Sequence, residues 1–244
     1  MCGIFGMYAS SPLATRSVPS LIRVANSQVS RGHHAFGLAW MNEDRQLFAY
    51  KRPGSVVSHP DDVARGEGAI GLVGHTRWAT HGGAERNDNN HPHAFRYARE
   101  NCFLVHNGVI GNYEEIADER GLRLHSECDS EVLARHVEAG QGSILKRFVD
   151  AISDVDSYAP CCVAAIVPEG VILARRGNPL FWSEGPGGVH WFASTRNALP
   201  GRVHQVPDNT AYLIACGDQQ GVRSMPLRER VASNRLFVGS DLFE

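Results

Sequence analysis

The stretch MCGIFGMYAS, residues 1–10, decides how the rest of the chain is read. It is apolar and carries a cysteine directly behind the initiator methionine. Cys2 is small enough for Met1 to be trimmed, which leaves a thiol and a free α-amine on one carbon framework. Two other uses of such a start fit poorly. A secretory signal needs a basic n-region and an apolar h-region of roughly 7–15 residues; this run is short, has no basic residue ahead of it and gives way to SSPLATR. N-myristoylation needs glycine at position 2. The start is therefore expected to belong to the fold, with GIFGMYA as a strand, in a cytoplasmic protein.

Composition narrows the class. The 244 residues are 43% apolar and 20% charged, enough for one large domain with a full core. Twenty-four basic residues against 26 acidic ones give a formal charge of −2. That balance lacks the basic footprint of a nucleic-acid binder. No run approaches the roughly 18 apolar residues needed to cross a bilayer. The six cysteines (Cys2, Cys102, Cys128, Cys161, Cys162 and Cys216) include no C-x-x-C pair. They read as reduced thiols, four of them lying in apolar runs as core residues.

Along the chain, short strands alternate with glycine-rich loops and a few helices. FGLAWMN, QLFAYK, AIGLVGHTR and CFLVHNG read as strands, as do CCVAAIVP, GVILARR, HWFAST and TAYLIAC. TRSVPSLIRVANSQVS, NYEEIADER, SECDSEVLARHVEAG and SILKRFVDAIS read as helices, the third capped by Ser126 or Asp129 and stopped at Gly140. The late strands are too closely spaced for crossover helices, so they pair antiparallel. The pattern predicts sheet layers covered by helices.

Functional groups concentrate in RGHHAFG (31–37), GHTRWATHGG (74–83), NNHPH (89–93), HNGVIGNY (106–113) and SECDSE (126–131). Each segment alone has a plain reading. The histidines at 75, 81, 91, 93 and 106 lack the tight spacing of a zinc motif, so no metal is expected. HNG fits a hairpin turn, Asp129 a helix cap and Arg77 a structural ion pair. Cys2 shifts the balance. A nucleophilic thiol needs a base and an oxyanion hole. A free α-amine, with an ordinary pKa of about 7.7–8.0, sits close enough to a thiol's about 8.5 to serve as that base. Asn107 offers a side-chain N–H and Gly108 a backbone N–H with no Cβ in the way. The Arg77 fork suits a carboxylate and Asp129 an ammonium, so the pair can hold an amino-acid zwitterion.

MCGIFG, GHTRWATHG, NNHPH, HNGVIGNY and SECDSEV, in this order, resemble the glutaminase domain of class II glutamine amidotransferases, which are N-terminal nucleophile hydrolases. GHTRWATHG makes the likeness greatest to the N-terminal domain of the glucosamine-6-phosphate synthases. It runs from residue 2 to about residue 200, through FASTRNAL (192–199). The resemblance implies an α+β, four-layer αββα sandwich of two stacked antiparallel sheets. It implies Cys2 as nucleophile once Met1 is removed, Asn107 and Gly108 as the oxyanion hole, and Arg31 beside the nucleophile, holding the N-terminus. It assigns the glutamine α-carboxylate to Arg77, with Thr80 and His81 beside it, and the α-amine to Asp129. The resemblance also implies that Trp78 lies on the loop covering the site. One residue departs from the pattern: His34 stands where the family has aspartate, replacing a fixed charge by a titratable ring.

The expectation is a single glutaminase domain over residues 2–244, without cofactor and with no synthase domain in the chain. It would hydrolyse L-glutamine through a Cys2 thioester and pass ammonia to a separate synthase subunit. Two other readings stand beside it: a free-standing hydrolase of another γ-glutamyl amide, and a non-catalytic binding or regulatory module on the same fold.

Overall fold

The computed structural model describes residues 1–218 and 221–228. The end of the expected 2–244 domain thus lies outside the described residues. The strands are β1 (Gly3–Tyr8), β2 (Ala35–Asn42), β3 (Leu47–Pro53), β4 (Ala69–Arg77), β5 (His93–Tyr97), β6 (Glu100–Gly108), β7 (Cys161–Val167), β8 (Gly170–Arg176), β9 (Phe181–Glu184), β10 (His190–Ala193), β11 (Val203–Gln205), β12 (Thr210–Ala215) and β13 (Val222–Pro226). The helices are α1 (Val18–Asn26), α2 (Pro60–Val63), α3 (Tyr113–Arg120), α4 (Glu131–Ala139) and α5 (Ile144–Ser153). One sheet has the order β11-β9-β10-β1-β4-β2-β3 and the other β13-β12-β8-β7-β6-β5. The strand pairs within both sheets are antiparallel.

The period-two geometry of a strand explains the layering. Along β7, Cys161, Val163, Ala165 and Val167 face one core while Cys162, Ala164 and Ile166 face another. On β1, Ile4 points into the same central core and Phe5 and Met7 away from it. The central core therefore lies between the sheets. A second core joins the first sheet to Leu21, Val24 and Ala25 of α1. A third joins the other sheet to Ile116 of α3, Leu133 and Val137 of α4, and Phe148 and Ile152 of α5. Strands buried on both faces read as unbroken apolar runs rather than alternating ones. The result is the expected αββα sandwich.

Helix boundaries differ in places from the sequence reading. α1 is shorter than TRSVPSLIRVANSQVS: a 3₁₀ turn at Thr15–Ser17 precedes it and Pro19 occupies its first turn. α4 starts at Glu131, not at Ser126. Residues 126–130 form a loop because the Glu131 carboxylate accepts from the backbone N–H of His125 and Ser126 and from the Ser126 hydroxyl. Asp129 does not cap this helix; its carboxylate turns to the end of β6 instead. α3 stops at Gly121, which takes the left-handed φ of 63°. HNG is the end of a strand, not a hairpin turn. Among the described residues, no helix is long and apolar enough to cross a membrane.

Candidate active site

Antiparallel pairing brings the start of β1 beside the end of β4, with Gly3 opposite Thr76. In the facing sheet β6 ends at Asn107 and Gly108. His75 Nε2 donates to the His106 carbonyl at 2.9 Å and ties the two sheets together at this end. Cys2, Arg77, Asn107 and Gly108 therefore converge there. The Cys2 sulfur lies 3.4 Å from the Trp78 N–H, which donates to it. The Cys2 carbonyl accepts from Arg31 Nε at 2.8 Å, so Arg31 pins the chain start. Burial pushes the Cys2 thiol above its ordinary value. The Trp78 N–H, the charged amino terminus and Arg77 oppose that rise, and Asp129 adds to it. A thiol in this setting is largely protonated at neutral pH and attacks only after a base removes its proton.

Arg77 is 2% exposed, and its guanidinium is held by neutral oxygens. It donates to Asn90 Oδ1 at 2.9 Å, to the Gly82 carbonyl at 2.9 Å and to the His81 carbonyl. Among the described residues no ion pair joins it to a carboxylate. Asp129, 3% exposed, has no cationic partner among them either. Its carboxylate accepts from the Ile110 N–H at 2.7 Å and from the Ser130 hydroxyl at 3.3 Å. A buried cation and a buried anion without counter-charges are costly unless something else completes them.

Asn107 is 1% exposed, and its Nδ2 has no hydrogen-bond partner. Its backbone carbonyl is anchored by Asn178 Nδ2 at 2.8 Å, which fixes the strand end while leaving the side-chain amide free. At Gly108 a Cβ would lie 2.3 Å from the Pro160 carbonyl and 2.6 Å from His106 Nε2, so only glycine fits. Two donors at adjacent positions, one with no acceptor, suit an oxygen that gains charge during reaction.

Trp78, Thr80 and His81 follow Arg77 on one loop. Trp78 is 42% exposed and Thr80 is exposed as well. The His81 carbonyl is a ligand of the Arg77 guanidinium. His34 organises this loop. Its Nδ1 accepts from the Ala79 N–H at 3.0 Å, and its ring packs 5.1 Å from that of Trp78. A histidine ring nitrogen thus fills an acceptor role that aspartate also offers. His34→Ala should loosen residues 78–83. One lost hydrogen bond, about 1 kcal/mol, predicts a roughly fivefold rise in KM and faster amide exchange at Ala79. His34→Asp should retain both properties.

The pattern reading missed several contributors. Asn90 is second in NNHPH, yet its role as an Arg77 ligand needs the fold. His106 Nδ1 lies 2.8 Å from Ser130 Oγ, which links β6 to Asp129. Asn178 carried no motif signal. Burial disfavours the charged form of four histidines: it brings His75 down to about 3 and His106 to about 4, and holds His91 and His93 well below the usual range.

Comparison with known proteins identifies the fold and the family. Two solved structures share the fold, each covering 93% of this chain and 49% of their own: one titled as the allosteric regulatory enzyme of purine biosynthesis (TM-score 0.76, 20% identity), the other as the Bacillus subtilis glutamine phosphoribosylpyrophosphate amidotransferase (TM-score 0.73, 19% identity). These likenesses give the fold, two antiparallel sheets with helices. A family model described as "Glutamine amidotransferase domain" matches residues 75–201. Glutamine–fructose-6-phosphate aminotransferases (isomerizing) are similar: that of Thermotoga maritima is 35% identical over 195 residues, 77% of this chain and 30% of its own length. That of Pseudomonas aeruginosa is 32% identical over 222 residues, 87% of this chain and 34% of its own. The chain belongs to the class II glutamine amidotransferase family. It spans about a third of the length of these curated relatives.

Proposed function

We propose that this chain hydrolyses the side-chain amide of L-glutamine to glutamate and ammonia, with Cys2 as nucleophile. The observation that carries the reading is the pair of buried, uncompensated charges, Arg77 and Asp129, at the strand ends where Cys2 begins the chain. An α-amino acid supplies both missing partners: its carboxylate meets Arg77 and its ammonium Asp129. The side-chain amide then points toward the thiol.

In this mechanism the free α-amine of Cys2 accepts the thiol proton, directly or through water. The sulfur attacks the amide carbon, and the new oxyanion takes hydrogen bonds from Asn107 Nδ2 and the Gly108 N–H. The ammonium returns the proton to the departing nitrogen and ammonia leaves. Water then attacks the γ-glutamyl thioester, releasing glutamate and restoring the thiol. The ammonia passes to an acceptor-bearing synthase, on a separate subunit or another domain. The curated relatives are named for amination of fructose 6-phosphate, which makes a sugar phosphate the first acceptor to try.

The test is a glutaminase assay with and without such a synthase. Glutamine should be preferred over larger γ-glutamyl amides, and Arg77→Met should raise KM roughly thirtyfold, the worth of about 2 kcal/mol in charged hydrogen bonds. An unchanged KM, or equal turnover of bulky amides, removes the zwitterion clamp and favours the broader hydrolase.

A further inference from the structure

Next in the chain to Asn90, the Arg77 ligand, and to Asp129 lies a second cluster that the glutamine chemistry does not use. His91, His93 and Cys128 are all buried, and one ligand atom from each lies within 4.8 Å of the other two. Both ring nitrogens of His91 lack any hydrogen-bond partner, as does His93 Nε2. His91 is 3% exposed, His93 4% and Cys128 3%. Unpartnered buried imidazole nitrogens are costly, and here three of them meet a thiol. The Cys128 sulfur makes a long hydrogen bond, 3.7 Å, to Asp129 Oδ1, and Ser130 also donates toward it.

We propose that His91, His93 and Cys128 form a binding site for a divalent transition metal of the zinc class. Two imidazoles and one thiolate are a donor set that zinc favours over magnesium or calcium. Zinc bonds of about 2.0–2.1 Å to nitrogen and about 2.3 Å to sulfur place ligand atoms somewhat closer than the 4.8 Å limit seen here. Side-chain rotation closes the difference. The metal displaces the Cys128 thiol proton, which is released to solvent. The fourth position falls to water on the side of His75, whose ring lies 4.0 Å from that of His91 and whose Nδ1 is also unpartnered.

The position gives the site a purpose. His91 and His93 follow Asn90, the Arg77 ligand, and Cys128 precedes Asp129. Asn89 already clasps Glu127, through its Nδ2 to the carboxylate at 2.9 Å and through its Oδ1 from the backbone N–H at 2.8 Å. A metal on the residues that follow clasps the same two segments again. It acts as a structural staple next to the substrate clamp, and it stands whether or not glutamine is the substrate.

The probes are Zn²⁺ and Co²⁺ added to the full chain after chelation. Cys2 is itself a thiol, so the measurement is made on both the native protein and Cys2→Ala. One equivalent of Co²⁺ should bind each, with a thiolate-to-metal charge-transfer band and the intense visible bands of a tetrahedral site. Cys128→Ser should lose the charge-transfer band. His91→Gln and His93→Gln should weaken binding by at least about tenfold, the lower end seen even for outer-shell changes. A band that survives in Cys128→Ser but vanishes in Cys2→Ala overturns the proposal, as does the lack of stoichiometric binding, which leaves a water-filled polar pocket. Should Cys128→Ser fail to fold, X-ray absorption of zinc-loaded Cys2→Ala decides. One sulfur with two nitrogens supports the site; nitrogen and oxygen alone refute it.

Discussion

Cys2→Ala should lose glutaminase activity by roughly 10⁴-fold or more while still binding glutamine. Removing a nucleophile that acts as a unit with its base costs as much as removing the whole catalytic group. The ligand clamp is separate from the thiol: Arg77 is held by Asn90, His81 and Gly82, and Asp129 by Ile110 and Ser130. None of those bonds involves Cys2. Calorimetry on the variant should therefore give a glutamine affinity within a few-fold of the native KM. Native protein quenched in acid during turnover should carry a γ-glutamyl adduct on its first peptide, and the variant none. Full turnover by Cys2→Ala would falsify the mechanism outright.

The same residue predicts a processing requirement and a pH profile. Met1 is 72% exposed, and its Sδ accepts a long hydrogen bond, 3.9 Å, from Arg31 Nη2. Its removal leaves the Arg31–Cys2 carbonyl bond in place and puts the free amine on the nucleophilic residue. Since burial raises the thiol's pKa, the thiolate fraction grows as pH rises toward it. The value of kcat/KM should therefore climb from pH 6 into the alkaline range. Chains that retain Met1 place the amine one residue away and should be inactive, as intact mass beside specific activity will report.

Much of this was legible in the order of residues, for physical reasons. β1, β4 and β7 are buried on both faces, as is β6 over its second half, and so announce themselves as apolar runs. Their ends carry the chemistry, and motifs mark ends well. β5 was not legible. Its hairpin to β6 turns at Ala98 and Arg99, with φ of 50° and 69°, where a sequence reader looks for asparagine or glycine. β9, β11 and β13 are only 4, 3 and 5 residues long, too short for alternation to stand out. The loss of β5 had a consequence in the site. His93 opens that strand, and α4, which begins three residues after Cys128, packs against it. Without β5 the histidines of NNHPH and the cysteine of SECDSE stay unrelated, since linear spacing shows no zinc pattern.

Asn107→Ala should lower kcat by about 10²–10³-fold, the usual worth of one oxyanion donor, with KM nearly unchanged. The split follows from geometry. Asn107 Nδ2 has no partner in the resting protein, so it makes no ground-state bond to lose. Its acceptor exists only when the amide carbon becomes tetrahedral. Stability provides the control. The structural bond at this residue runs through the backbone, from Asn178 Nδ2 to the Asn107 carbonyl, and survives the substitution. The unfolding midpoint should thus move by the equivalent of about 1 kcal/mol or less. Asn178→Ala reverses the pattern: it strips that carbonyl and should cost about 1–3 kcal/mol of stability, with a smaller loss in kcat. The Gly108 N–H remains in both variants, so each should stay well above Cys2→Ala in activity. If Asn107→Ala raises KM and leaves kcat intact, the side chain binds substrate and the hole must be built elsewhere.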